Sequence, residues 1–197
     1  SFTIGFLGAG QLAKTDLVSG MVGEFPDLQG VMGEYYARAA GEASTVSLAI
    51  REHYQPRFAG DALPMGEISQ AVALADRLDA LVGLFGINQP PTGSKDPFAL
   101  RRQALGVVRI CVESQLPISP STLVDDAIAG FAREFDGQAV KDYLADRFEQ
   151  WAIDEGVPYD AVRAILARKD DAPLFASAYA DMKTLADFKA EPTAEAL

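Results

Sequence analysis

Ile68, Val72, Ala75, Leu78, Val82 and Phe85 succeed one another at steps of three and four residues. That spacing lays a single apolar stripe along a helix over residues 67–86, about six turns long. Apolar residues elsewhere recur mostly at helical spacing, and no pair of β-branched alternating runs is joined by an Asn-Gly or Asp-Gly turn. The expected fold class is all-α. Asp96-Pro97 places an N-cap acceptor before a proline, predicting a helix from Phe98 to Val112, and Ser119-Pro120 repeats the device before Leu123, Ala127 and Phe131. Further helices are predicted at roughly 12–22, 27–40, 43–54, 138–154, 159–169 and 174–188. Gly137, Gly156-Val157-Pro158 and Asp171-Ala172-Pro173 are the breaks between the later ones, and loops are expected at Arg57–Met65 and Asn88–Ser94. A composition shift at Gln115–Pro120 marks the expected domain boundary.

Composition narrows the function classes. A chain of 197 residues that is 49% hydrophobic has the material for one core or two small ones. The lone Cys111 sits in an apolar run and reads as a small buried hydrophobe, which fits a reducing, cytoplasmic setting. No apolar stretch is long enough for a membrane span and no signal-peptide pattern opens the chain, so a soluble protein is expected. The net charge of -11 argues against broad nucleic-acid binding. The acidity is uneven, however: residues 1–114 carry 9 basic and 12 acidic residues, residues 115–197 carry 8 and 16. Within 95–109, Lys95, Arg101, Arg102 and Arg109 face only Asp96, which leaves room for a local phosphate contact.

Four motifs carry candidate chemistry. Gly8-Ala9-Gly10-Gln11-Leu12-Ala13 fits a G-x-G-x-x-A dinucleotide fingerprint, but no second strand ending in an acid follows it, so a flexible or truncated N-terminal segment is the favoured reading of residues 1–11. Asp76 and Asp79 lie three apart on the 67–86 helix, with Asp79 expected at the edge of the buried stripe and captured there by Arg77, Arg57 or a backbone donor. His53 is the only histidine, too few for a zinc or di-metal centre, and is read as a structural hydrogen-bonding group. Thr92-Gly93-Ser94-Lys95-Asp96-Pro97 leads into a helix start whose N–H groups attract anions, which makes Ser94 and Lys95 phosphate candidates. The rival reading has Asp96 as a mere cap and Arg101 and Arg102 paired with acids of the preceding helix.

Five ordered blocks carry a family resemblance. Leu12–Val18, Val22–Gly30, Glu52-His53-Tyr54 with Ala59-Gly60-Asp61, Val72–Asp79 and Thr92–Arg102 resemble successive stretches of the glycyl-tRNA synthetase β subunit of the bacterial α2β2 type. The resemblance implies an HD-like helical bundle over 12–116 followed by a smaller connecting helical domain over 117–197. An HD domain elsewhere binds metal through His and Asp. Here the doublet position reads Thr15-Asp16, so the pocket of Asp16, His53, Asp61, Asp76 and Asp79 is expected to be degenerate, with no metal and no catalytic residue. The implied role is tRNA contact, through Ser94, Lys95, Arg101 and Arg102, and subunit architecture within a glycine–tRNA ligase whose α subunit activates glycine with ATP and Mg. Glycine tRNA and that α subunit are the implied partners, and no membrane. An HD-type metal-dependent phosphohydrolase is the alternative.

Overall fold

The structure, a computed structural model, describes residues 2–93, 95–132, 135–168 and 174–190. Among them all regular structure is helical, apart from one isolated bridge between Thr92 and Lys95, so the all-α expectation holds. None of these helices is long and apolar enough to cross a membrane. The chain divides into two compact units, Ser1–Arg77 and Leu78–Leu197.

The first unit holds α1 (Phe2–Leu12), a 3-10 turn at Thr15–Val18, α2 (Gly20–Glu24), a second 3-10 turn at Pro26–Leu28, α3 (Val31–Ala39), α4 (Ser44–Glu52) and the opening of α5 (Glu67–Gly86). Both α1 and α3 pack on α4. Ala9, Ala13, Ala37, Val46, Ala49, Ile50 and Val72 form the core, with Phe6, Leu12 and Ile68 against it. The flexible opening segment expected from the sequence is thus a helix. Phe6, Ala9 and Ala13 fall at helical spacing and give it a face to bury. Gly5 serves packing: a Cβ there would lie 2.6 Å from Ile68 Cδ1. A dinucleotide fingerprint needs a strand before its glycines, and here those residues are helical throughout.

Two other boundaries are corrected. The predicted 12–22 helix is broken, because Ser19 leaves the helical conformation and its hydroxyl accepts from Val22 N at 3.3 Å, capping α2. The predicted 27–40 helix begins at Val31, after Gly30 at φ +80. Along α5 the buried face is broader than the predicted stripe. Val72, Ala73, Leu74, Arg77, Leu78, Leu81 and Val82 are buried, whereas Ala75 is exposed.

The second unit contains the rest of α5, α6 (Leu100–Glu113), α7 (Pro120–Ala129), α8 (Gln138–Asp154), α9 (Tyr159–Leu166) and α10 (Phe175–Ala190). α6 packs on α8 and α10, while α8 also meets α7 and α9. Leu100, Ala104, Val107, Val108, Cys111, Leu144 and Phe148 are buried here, and Phe148 stacks on Phe175 with centroids 4.3 Å apart. Burial pushes the Cys111 thiol up to about 12, so it behaves as the small hydrophobe its neighbours suggested. Ser119 caps α7 as predicted, accepting from Ser121 N at 3.2 Å with Pro120 at the first helical position. α6 starts two residues later than predicted, after Ala99 at φ +55.

Candidate functional site

Two groups of polar residues stand out, one in each unit. In the first, a cluster forms where α4 ends. Lys14 Nζ binds both carboxylate oxygens of Asp76 at 2.9 Å and lies 4.4 Å from the centroid of the Tyr54 ring. His53 is fully buried; its Nδ1 lies 2.7 Å from the Ile50 carbonyl oxygen and its Nε2 has no partner among the described residues. Burial, aided by the Lys14 ammonium, holds the imidazole down at about 4, so it is neutral at pH 7. Tyr54 packs against it with ring centroids 3.8 Å apart, and desolvation raises the phenol above its ordinary value. Asp16 is fully buried: Oδ2 accepts from Gly30 N at 2.6 Å, while Oδ1 has no partner among the described residues. A Cβ on Gly33 would meet Ile50 Cγ2 at 2.7 Å and the Asp16 carboxyl at 3.3 Å, so the missing side chain is what lets α3 close over this carboxylate.

The residue that organises the cluster is one to which sequence reasoning gave a different role. Arg77 is 3% exposed, and its guanidinium donates to the carbonyls of His53 (2.8 Å), Ala73 (3.0 Å), Tyr54 (3.1 Å) and Pro56 (3.1 Å). Burial lowers its pKa to about 10, still well above neutrality, so it keeps its charge. A planar fork with several donors suits a turn whose carbonyls point inward. The sequence offered Arg77 as a partner for Asp79. Its two terminal nitrogens are taken by backbone oxygens instead, its Nε has no partner among the described residues, and Asp79 is exposed and falls in the second unit, away from the stripe edge where it was expected. Asp61 is occupied by its own loop, accepting from Arg57 N at 2.7 Å and Ala62 N at 2.9 Å. Of the five residues expected to share a pocket, the cluster therefore gathers Asp16, His53 and Asp76. Among the described residues, no group of three His, Cys, Asp or Glu side chains is placed to hold a metal ion.

In the second unit the polar stretch of residues 92–102 lies at the surface, with Lys95 and Arg102 exposed. Thr92 and Lys95 exchange backbone hydrogen bonds at 3.0 and 2.7 Å. The Asp96 carboxylate accepts from Leu100 N at 2.7 Å and Arg101 N at 2.9 Å. The predicted capping acid is therefore present but reaches across the left-handed Ala99 rather than standing next to the helix. It also fills the two foremost amides of α6, so an anion arriving here meets side chains and not the helix start assumed from the sequence. Arg101 donates to the Gly93 carbonyl. Lys95 and Arg102 have no carboxylate partner among the described residues, and neither Arg101 nor Arg102 makes there the ion pair with the preceding helix that was the rival expectation. Ser94 lies outside the described residues. Tyr143 on α8 buries its hydroxyl, packs at a tilt against Phe85 with ring centroids 5.4 Å apart and carries the Arg147 guanidinium over its ring at 5.6 Å.

The glycyl-tRNA synthetase beta subunit family profile matches residues 6–167 of this chain. The chain belongs to that family. It is 49% identical over 199 residues to the glycine–tRNA ligase beta subunit of Aromatoleum aromaticum, covering 96% of this chain and 28% of that protein. The corresponding protein of Pseudoalteromonas atlantica is 50% identical over 171 residues, covering 84% and 25%, and that of Klebsiella pneumoniae is 48% identical over 193 residues, covering 96% and 28%. The chain thus spans little more than a quarter of the length of these relatives. The resemblance carried by the five sequence blocks and the family match agree.

Proposed function

We propose that this segment of the glycyl-tRNA synthetase β-subunit family contributes tRNA contact and subunit architecture to ATP-dependent glycine–tRNA ligation, in the cytoplasm and beside the α subunit that activates glycine with ATP and Mg. The observation that carries the reading is the pair of exposed cations without ion-pair partners among the described residues, Lys95 and Arg102, beside Arg101, on an otherwise acidic chain. Unpaired Lys and Arg side chains are what a polyphosphate backbone binds, by releasing its counterions. The HD-like cluster supports an architectural part rather than phosphohydrolysis: Asp76 holds Lys14, Asp61 holds its own loop and His53 is sealed and neutral. In this reading the cluster fixes the scaffold, and the 91–102 region meets RNA.

The test is a titration of labelled glycine tRNA with the 197-residue protein at several salt concentrations. Weak, salt-sensitive binding is expected, with no ATP-dependent charging by this segment. Lys95→Ala and Arg101→Ala should each weaken binding more than Arg163→Ala on α9, where the arginine is paired with Glu149 at 3.4 Å. Equal, neutral behaviour of all three variants would reject the assignment.

A further inference from the structure

Phe98 leaves 48% of its surface exposed in the middle of the cationic stretch, between Lys95 and Arg101-Arg102. Other large hydrophobics of the second unit are also exposed, but the charged neighbours that could be compared with these are paired. Lys189, next to exposed Phe188, is bound to Asp160, which itself follows exposed Tyr159. Lys95 and Arg102 have no such partner among the described residues, and both oxygens of the nearest acid, Asp96, are taken by backbone amides. Asp96 still counts as one negative charge, so Lys95, Arg101 and Arg102 against that single acid leave the surroundings of Phe98 net positive.

The backbone that carries the ring is also fixed on both sides. Lys95 is tied to Thr92, Ala99 N donates to the Asp96 carbonyl at 3.1 Å, and the Asp96 carboxylate grips the start of α6. A ring held this way loses little conformational freedom when something stacks on it. We propose that Phe98 is a stacking platform for an unpaired RNA base, with Lys95 and Arg102 on the flanking phosphates, so that this surface engages single-stranded rather than duplex segments of RNA. The inference rests on the tRNA-contact reading above and specifies its chemistry. Bases in a duplex are stacked on one another and offer no face to a side chain, whereas an unpaired base of any identity can stack on an aromatic ring. Charge complementarity selects a polyanion, and the ring selects one with exposed aromatic faces.

The experiment compares two labelled probes, a twelve-nucleotide single-stranded RNA and a blunt-ended RNA duplex of the same length, against the 197-residue protein and its variants. The single strand should bind more tightly. Phe98→Ala should weaken it about tenfold and leave the duplex unchanged, and Phe98→Trp should restore it. The half-exposed position makes misfolding of the variants easy to monitor by an unchanged thermal transition. Lys95→Ala should weaken both probes. If Phe98→Ala is silent, or lowers both affinities equally, the stacking assignment is overturned while RNA contact stands. If neither probe binds the unaltered protein, the tRNA-contact reading falls and the stacking assignment falls with it.

Discussion

The cluster at the end of α4 and the stretch around the start of α6 contain similar residues, yet they differ in where the polar atoms point. In the first, Lys14 closes on Asp76, Arg77 closes on four carbonyls and His53 is sealed. In the second, the acid is turned onto its own backbone and the cations are left outside. A residue type that suggests chemistry in sequence acquires a role only when its partners are known. Inward satisfaction makes a polar group part of the scaffold, while an outward group without a partner remains available to a ligand. The contrast makes definite predictions, because scaffold groups should govern stability and outward ones should not.

Arg77→Met should produce the largest loss. It strips a buried charge from four carbonyl oxygens, which then lack donors in a water-poor site, at a cost of about 3–5 kcal/mol. Urea unfolding followed by circular dichroism would measure it. Arg77→Lys should rescue little, since an ammonium cannot span the same fork of acceptors. A loss below about 1 kcal/mol would mean that this arginine does not organise the turn.

His53 gives the next effect and a pH signature. Its imidazole is lowered from 6.5 to about 4 in the folded protein, so the unfolded chain binds the proton more readily. The stability this represents is fully present above about pH 6.5 and is lost as pH falls from there to about 4, amounting to about 3 kcal/mol. Because His53 is the only histidine, its ring signals in a proton NMR titration should move near pH 4. A midpoint near 6.5 would show the ring to be open to solvent.

Much of the helical frame was legible in the sequence, and the reason is that apolar periodicity is a local property. α8 matches its predicted span of 138–154, and Ser119-Pro120 starts α7 through a cap that depends on adjacent residues. What was missed depends on partners distant in sequence. The opening residues looked like an unattached segment because their packing partners, Val46 on α4 and Ile68 on α5, lie some way along the chain. Arg77 looked like a surface partner for a nearby acid, since nothing adjacent to it shows that four carbonyls from residues 53–73 converge there. Lys14 lay within the first family block but was given no role; only the fold brings it to Asp76, 62 positions away. By contrast, the Thr92–Arg102 stretch was recognisable because its residues are contiguous, although the reach of Asp96 across Ala99 was not.

Lys14 tests the boundary between the two behaviours, because it belongs to the cluster but remains half exposed. Solvent screens such a pair, so Lys14→Ala should cost less than about 1 kcal/mol. Its electrostatic effect should still be visible. The ammonium helps hold His53 down and Asp76 pulls the other way, so removing it should raise the His53 midpoint above about 4. An unchanged midpoint would place Lys14 outside the cluster in solution.

The smallest effect on stability is expected where the functional effect is sought. Lys95→Ala combined with Arg102→Ala removes two exposed cations that hold no carboxylate among the described residues, and should move the unfolding midpoint by no more than about 0.5 kcal/mol. If both side chains meet phosphates, each releases counterions when RNA binds. The slope of log affinity against log salt should then become shallower by about 1.4–1.8 in the double variant. A slope that is unchanged while binding persists would mean that the phosphates are held elsewhere on the chain. A large loss of stability would mean instead that these cations are internally satisfied, and the distinction between the scaffold cluster and the outward stretch would no longer hold.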